Sequence, residues 1–513
     1  MKKILGRVIV VIPAVALQLL WYCLALRILD SLMFQHLWDF INALFSVLEV
    51  VFVTTLIARR DESSYKLLWV LVIVAMPILG AMLYLFFGNK VTGRRLKKKL
   101  TESSDKLAVT AGPNSRLFVS EIKEEDLRFG QILGHIFEST GFPLYRNETS
   151  KYYPFGEDMF ADMCEDLKQA EKYIYVEYFI IQSGKFWDTL TQLMAERAAA
   201  GVDVRVMYDD LGSIGTYSAS DRAALARRGI KCISFNPFLF IKSQLNNRDH
   251  RKIMVIDGKV AYSGGVNLAD EYINEVERFG RWKDIGFRIT GEAVKSYVYM
   301  FAEFWNAFSN DKIADSSLEL KSSLSAVPPA PENGYILPYY DSPVRKEHTS
   351  NELFTEVLSA AVDYVWFYTP YLILGDALFD AFIRAARRGV DVRIIMPGIP
   401  DKKMVYRLGR SYYADLLTAG VKIYEYTPGF VHAKAMIADD KIGGIGTVNL
   451  DYRSLFLHFE CNALFYRADI LKVLKEDYLT TLQECKEREI ADTKKGPLHR
   501  FLDNVLRVIA PLL

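Results

Sequence analysis

The pattern of apolar and polar positions divides the chain near residue 100. Before that point, Val8–Leu26 carries no charged residue, and Leu67–Gly88 is a second uncharged run of 22 residues. At a helical rise of about 1.5 Å per residue the second run would reach ~33 Å, enough to cross a bilayer's hydrocarbon core. Between them, Phe40–Ala58 holds a single charge, Glu49. The pattern predicts a membrane anchor over residues 1–100 with two or three hydrophobic helices. Lys2, Lys3 and Arg7 precede the first run, but no small-x-small cleavage site follows it, so it reads as an anchor and not as a removed leader. Lys90, Arg94, Arg95 and Lys97–Lys99 follow the last run and place the remainder on the cytoplasmic side. The basic N-terminus favours the same side, which requires an even number of crossings. Three candidate runs leave that number open.

Beyond residue 110 the pattern changes to short apolar strands alternating with amphipathic helices, and it repeats. Lys172–Ile181 (KYIYVEYFII) corresponds to Asp363–Ile373 (DYVWFYTPYLI). Gly201-Val-Asp-Val-Arg-Val-Met207 corresponds to Gly389-Val-Asp-Val-Arg-Ile-Ile395, and Ala226–Lys231 to Leu417–Lys422. Strand, helix ending at Gly, strand is the βαβ signature. It predicts an α/β fold: two tandem α-β-α domains, each a largely parallel sheet with helices on both faces. The domains span 110–320 and 334–513, joined by the Pro-rich linker Ser316–Asn333.

Charge narrows the function classes. Lys and Arg number 63 against 62 Asp and Glu, a net charge of +1. That speaks against a broadly basic nucleic-acid binder and an acidic disordered chain. Five scattered cysteines without a C-x-x-C pair suggest neither a disulfide framework nor a zinc site.

Each half contains the pattern H-x-K-x4-D. The first runs His250-Arg-Lys252 to Asp257, followed by Gly264-Gly265-Val-Asn267; the second runs His432-Ala-Lys434 to Asp439, followed by Gly446-Thr447-Val-Asn449. Only seven histidines exist, and two of them open this pattern. Apolar residues leading into Asp257-Gly258 and Asp439-Asp440 predict a β-hairpin in each half. Residues i and i+2 of a strand share a face, so His250 projects with Lys252 and His432 with Lys434. A hairpin alone gives no reason for that pair to occur twice.

Phosphodiester transfer does give one. It needs a nucleophile, a proton donor for the leaving oxygen, and cations for the phosphoryl oxygens. Two imidazoles and two ammonium groups supply these without a metal or other cofactor. One His would form a phosphohistidine and the other would protonate the departing alkoxide. Lys252 and Lys434 would hold the phosphoryl oxygens, with hydrogen bonds from Asn267 and Asn449. His250 is the preferred nucleophile and His432 the preferred acid/base, although the sequence is symmetric between them.

The paired motifs resemble the phospholipase D superfamily. Asn247–Lys252, Gly264–Tyr272, Arg281–Asp284, Asn449–Ser454 and the closing Arg507–Leu513 are similar to the bacterial cardiolipin synthases within it. This resemblance covers nearly the whole chain. It implies one active site shared by two halves and transfer of a phosphatidyl group between two phosphatidylglycerol molecules, releasing glycerol. It implies catalytic roles for His250, Lys252, Asp257, His432, Lys434 and Asp439, with Asp257 and Asp439 also readable as structural turn residues. It also implies a carboxylate orienting each His, for which Glu460 is the candidate for His432 and Asp284 the candidate for His250. The partners implied are anionic phospholipids and the bacterial cell membrane, with multi-pass anchoring and cytoplasmic catalytic domains. Hydrolytic phospholipase D and phosphatidylserine synthase would share the chemistry and differ in acceptor. An inactive membrane scaffold is opposed by two intact motifs. Two features carry weaker signals: Glu177, an acid in a buried-looking strand, could line the active site or pair with Arg in the core, and the Phe501–Leu513 stretch could dock on membrane or pack on the body.

Overall fold

The computed structural model describes residues 19, 32–59, 61–88, 94–104, 114–147, 149–237, 246–314, 333–345 and 347–512. Apart from Leu19, the run Val8–Leu26 lies outside them, as does the linker Ser316–Asn333 apart from Asn333.

Eighteen strands appear among these residues. The first nine are β1 (Tyr145–Arg146), β2 (Thr149–Tyr153), β3 (Tyr173–Tyr178), β4 (Asp203–Asp209), β5 (Lys231–Phe235), β6 (Ile253–Ile256), β7 (Val260–Gly264), β8 (Arg281–Lys283) and β9 (Gly286–Thr290). The rest are β10 (Tyr335–Asp341), β11 (Tyr364–Tyr368), β12 (Asp391–Pro397), β13 (Lys422–Tyr426), β14 (Gly429–Val431), β15 (Ala435–Ala438), β16 (Ile442–Gly446), β17 (Glu460–Tyr466) and β18 (Cys485–Glu487). One sheet has the order β2-β9-β7-β6-β3-β4-β5. The other runs β10-β17-β16-β15-β11-β12-β13 through its centre, with β1 and β18 added at its edges. The duplication read from the sequence therefore holds strand by strand.

The sheets are mixed, which corrects the expectation of a largely parallel one. Within the first sheet only β3–β4 and β4–β5 pair in parallel, matched by β11–β12 and β12–β13 in the second. The parallel pairs follow the βαβ stretches, where Gly201 and Gly389 end their helices at φ 95° and 92°. The other pairs contain hairpins, and a chain that returns through a short turn can only pair antiparallel. Strand β3 is buried on both faces. Ile174, Val176 and Tyr178 enter one apolar cluster, and Tyr175 enters another that spans both halves. Phe287 meets Phe465 across the halves with ring centroids 5.7 Å apart, so the sheets share a core.

The chain crosses between halves earlier than the predicted boundary. Strand β1 pairs with β10, the Arg128 guanidinium donates to the Ala360 carbonyl at 2.9 Å, and Lys441 pairs with Asp126 at 2.6 Å. Residues 115–146 thus pack on the second half, although the sequence pattern grouped them with the first.

Among the described residues no helix is long and apolar enough to cross a membrane. Helix Leu32–Ile57 is long but interrupted by Gln35, His36, Asp39, Asn42 and Glu49. The run Leu67–Gly88 is not one rod. Helix Ser63–Ala75 stops at Met76 (φ −140°, ψ 77°), ahead of Pro77, and a second helix covers Pro77–Leu83. Proline disfavours helical geometry in the residue before it. The chain folds back, and the Trp69 and Tyr84 rings meet edge to face at 5.4 Å.

The two motif hairpins form as expected. Asp257 and Gly258 turn at φ 55° and 66°, Asp439 and Asp440 at 50° and 56°. The carboxylates then take the structural turn role that was the alternative to a catalytic one. Asp257 accepts the backbone N–H groups of Glu171, Lys172 and Tyr173 at 2.8, 2.7 and 2.9 Å. Asp439 accepts those of Val362, Asp363 and Tyr364, each at 2.9 Å. Five residues of extended chain, about 16 Å, separate each Asp from its motif lysine. The two aspartates expected to be catalytic instead tie the hairpin turn to the start of the central strand. Asp439→Ala is expected to cost about 2 kcal/mol, because it strands three backbone donors. Chemical denaturation would show a lower midpoint, with activity per folded molecule little changed.

Candidate active site

His250 and His432 each sit just before a hairpin strand, β6 and β15, and each is stitched by its backbone to the other half. The His250 N–H donates to the Phe459 carbonyl at 2.9 Å, and the His432 N–H to the Lys283 carbonyl at 2.7 Å. The next residue in each partner segment is a carboxylate, Glu460 or Asp284. The outcome is crossed pairing: His250 Nδ1 lies 2.8 Å from Glu460, and His432 Nδ1 lies 2.6 Å from Asp284. This reverses the expected assignment of Glu460 to His432 and Asp284 to His250. The reason is that β8 pairs with β14 in a small sheet between the halves and Asp249 bridges to Phe459, which a reading of each half by itself does not show.

Both carboxylates are fully buried, so their orientation is fixed by donors. Asp284 accepts the Ile285 N–H at 2.9 Å. A Cβ on Gly265 would lie 2.0 Å from its Oδ1, so only glycine leaves it room. In the second half Thr447 stands at that position. Its hydroxyl donates to Glu460 at 2.5 Å, and the Ser454 hydroxyl donates to the other oxygen at 2.7 Å. The shorter acid has glycine behind it and the longer one has a hydroxyl. Burial pushes the Glu460 carboxyl well up, with Lys252 and these hydroxyls opposing. Each imidazole donates Nδ1–H to its carboxylate, which leaves Nε2 carrying the lone pair.

Burial also governs the bases. It pushes His432 down to about 4, aided by Lys434 and opposed by Asp284. It pushes His250 well below the usual histidine range, aided by Lys252 and Lys434. The lysine ammonium groups are depressed for the same reason, Lys252 to about 8 and Lys434 to about 7. Each donates to the carbonyl of its own histidine, Lys252 to His250 at 2.6 Å and Lys434 to His432. The i, i+2 spacing predicts the lysines beside the rings; instead both ammonium groups are buried on those backbone carbonyls, and neither lysine is among the residues that line the cleft between the halves.

The rings open on one cleft of about 910 Å³, whose wall includes His250, His432, Asn267 and Asn449. The Asn267 carbonyl accepts the Ile180 N–H at 3.1 Å and its amide donates to the Tyr272 hydroxyl at 2.9 Å. The buried Asn449 Oδ1 has no hydrogen-bond partner among the described residues. Tyr272 packs 5.3 Å from the His432 ring and Phe179 packs 4.8 Å from the His250 ring. These aromatic walls lower the local dielectric and strengthen every charge interaction between them.

Sequence reasoning missed several wall residues: Tyr272, Arg453 and His458. His458 accepts the Arg248 N–H on Nδ1 at 3.4 Å, and burial with the Arg453 charge pushes it down to about 3. Its spacing from Glu460, H-x-E, was the available signal. Glu177 proves to be a core acid, paired with buried Arg251. Gly443–Gly446 belongs to β16, the hairpin's return strand.

Two duplicated sheets that bring two carboxylate-held histidines to one cleft, each with a buried lysine on its backbone carbonyl, define a phospholipase D-type phosphodiester-transfer site. Comparison with known proteins narrows this. The family described as cardiolipin synthase, phospholipase D-like domain matches residues 163–305 and 354–480, and a phospholipase D-nuclease N-terminal family matches 43–89. A cardiolipin synthase of Alkalihalophilus pseudofirmus is 33% identical over 91% of this chain and 92% of its own length. An uncharacterized protein of Streptococcus mutans is 41% identical over 89% of this chain and 98% of its own. The crystal structure of phosphatidylserine synthase from Haemophilus influenzae superposes with a TM-score of 0.56 at 16% identity, covering 73% of this chain and 98% of that one, a likeness of fold. The chain belongs to the phospholipase D-like cardiolipin synthase family.

Gly265→Ala would push Asp284 off His432. It is expected to lower phosphatidyl-transfer turnover by about ten- to hundredfold, the usual effect of disturbing a carboxylate behind a reacting histidine. Thr447→Ala, which removes a hydroxyl without crowding, is expected to be milder. Steady-state rates per folded molecule would check the order.

Proposed function

We propose that the chain joins two phosphatidylglycerol molecules into cardiolipin and glycerol through a phosphohistidine. The observation that carries this reading is the crossed pair of carboxylate-held histidines in one cleft, together with family membership. His250 Nε2 attacks the donor phosphorus, and the P–O bond to the glycerol headgroup breaks. The departing oxygen takes a proton from His432 Nε2. His432, now neutral, removes the proton from an acceptor hydroxyl, whose oxygen displaces His250 from phosphorus.

The electrostatics support both roles. A depressed His250 is a neutral nucleophile at physiological pH. The bound phosphodiester anion raises both rings and both ammonium groups, which supplies the imidazolium acid when substrate is present. Lys252 and Lys434 stabilise the charge gathered on phosphorus. Asn449, whose carbonyl oxygen has no hydrogen-bond partner among the described residues, is placed to bind a donor hydroxyl of the acceptor.

We assign residues 1–100 to membrane anchoring, with the two catalytic halves on the cytoplasmic side. Arg94, Arg95 and Lys97–Lys99 support that side. Helix Arg94–Ser104 packs on the first half, where the Ser103 hydroxyl donates to the Glu303 carbonyl at 2.7 Å.

The test supplies full-length protein with phosphatidylglycerol in detergent and a divalent-metal chelator. Cardiolipin and free glycerol in equal amounts are expected. Phosphatidic acid alone would make the chain a hydrolase, and no turnover of any phosphodiester lipid would refute the reading.

A further inference from the structure

Helix Pro497–Ile509 is anchored to the body by one face only. Asp503 on that face is buried and holds Arg407 at 2.9 Å and Lys495 at 2.6 Å, while Arg507 reaches Asp415 at 3.0 Å. The opposite face is apolar and bare. Leu498 is 67% exposed and Phe501 63%, and Leu502, Val505 and Val508 are exposed too. Their spacing, 498, 501, 505 and 508, is a single helical stripe. A stripe this apolar on an outer surface calls for an occupant.

Three neighbours indicate which one. The helix packs beside Ser63–Ala75, which exposes Leu67, Leu71 and Val74. Arg407, its mooring partner, lies on helix Lys403–Gly409, and Lys402, Lys403 and half-exposed Met404 at the start of that helix form part of the cleft wall. Basic groups border the stripe: Lys494, His499 and Arg500 are all exposed. Apolar side chains flanked by cations, continuous with the anchor region and with the mouth of the cleft, fit the boundary of an anionic bilayer.

We propose that helix Pro497–Ile509 lies in the interface of an anionic phospholipid bilayer, its Leu498–Val508 stripe inserted among the acyl chains, and so holds the cleft mouth at the lipid surface. This rests on the reading of the substrate as a phospholipid. The geometry gives it a physical purpose. A diacyl lipid need not leave the bilayer to present its phosphate to His250, because the rim at Met404 meets the acyl region.

The test uses full-length Phe501→Trp protein in phosphatidylglycerol vesicles whose acyl chains carry bromine. Emission added over the wild-type protein is expected to be blue-shifted and quenched. Red, unquenched emission would place the stripe in water, and blue, bromine-insensitive emission would place it against protein, whether a second copy or residues Val8–Leu26. Either result overturns the proposal. A second variant, Phe501→Glu with Val505→Glu, is expected to lower the ratio of vesicle to micelle turnover about tenfold or more, since each buried apolar side chain contributes strongly to insertion. An unchanged ratio would also overturn it. Absence of micellar turnover in the wild type would refute the proposed reaction and leave the quenching result standing.

Discussion

A buried imidazole needs a fixed proton, and in this chain each half receives that fixation from the other. His250 is held by Glu460 and His432 by Asp284, through backbone bonds that cross the pseudo-twofold axis. Neither half contains a complete histidine–carboxylate pair. The shared core, the pairing of β8 with β14 and the single cleft all serve this one requirement. A buried carboxylate without its partner would be expensive, and breaking such a pair commonly costs about 3–5 kcal/mol. The interface between the halves is therefore part of the chemistry.

The same burial sets the charge state of the empty site. Two lysines, two histidines and two acids lie where water does not screen them. Desolvation drives the cations and imidazoles toward neutrality and drives Glu460 toward its acid form. In the proposed mechanism an incoming phosphodiester is the anion that relieves this, so its binding and the activation of the acid/base histidine are one event. Gly265 and Thr447 show how finely the two sides are fitted. The same position yields space for an aspartate in one half and a hydroxyl for a glutamate in the other.

Much of this was legible in the sequence. The repeat, the hairpins and the family all follow from local pattern. Most of the failures lie in contacts between segments distant in the chain. The crossed carboxylates depend on β8 meeting β14 and on Phe459 meeting Asp249, pairings no periodicity encodes. Asp257 and Asp439 looked catalytic because they recur with the motif. They recur because each half needs the same clamp between turn and strand. The mixed sheet was misread because hairpin strands and crossover strands share one apolar pattern. The run at Leu67–Gly88 was read by hydropathy alone, which ignores what Pro77 does to Met76.

The account's central claim is that one histidine carries the phosphatidyl group while its counterpart across the axis handles the proton. Acid-free denaturation of the full-length protein during turnover of phosphate-labelled phosphatidylglycerol, followed by peptide mass spectrometry, tests it most directly. The account predicts an acid-labile, base-stable adduct on His250 that accumulates in His432→Ala and vanishes in His250→Ala. An adduct on His432 would exchange the two roles. Turnover with no histidine adduct in either protein would contradict the account.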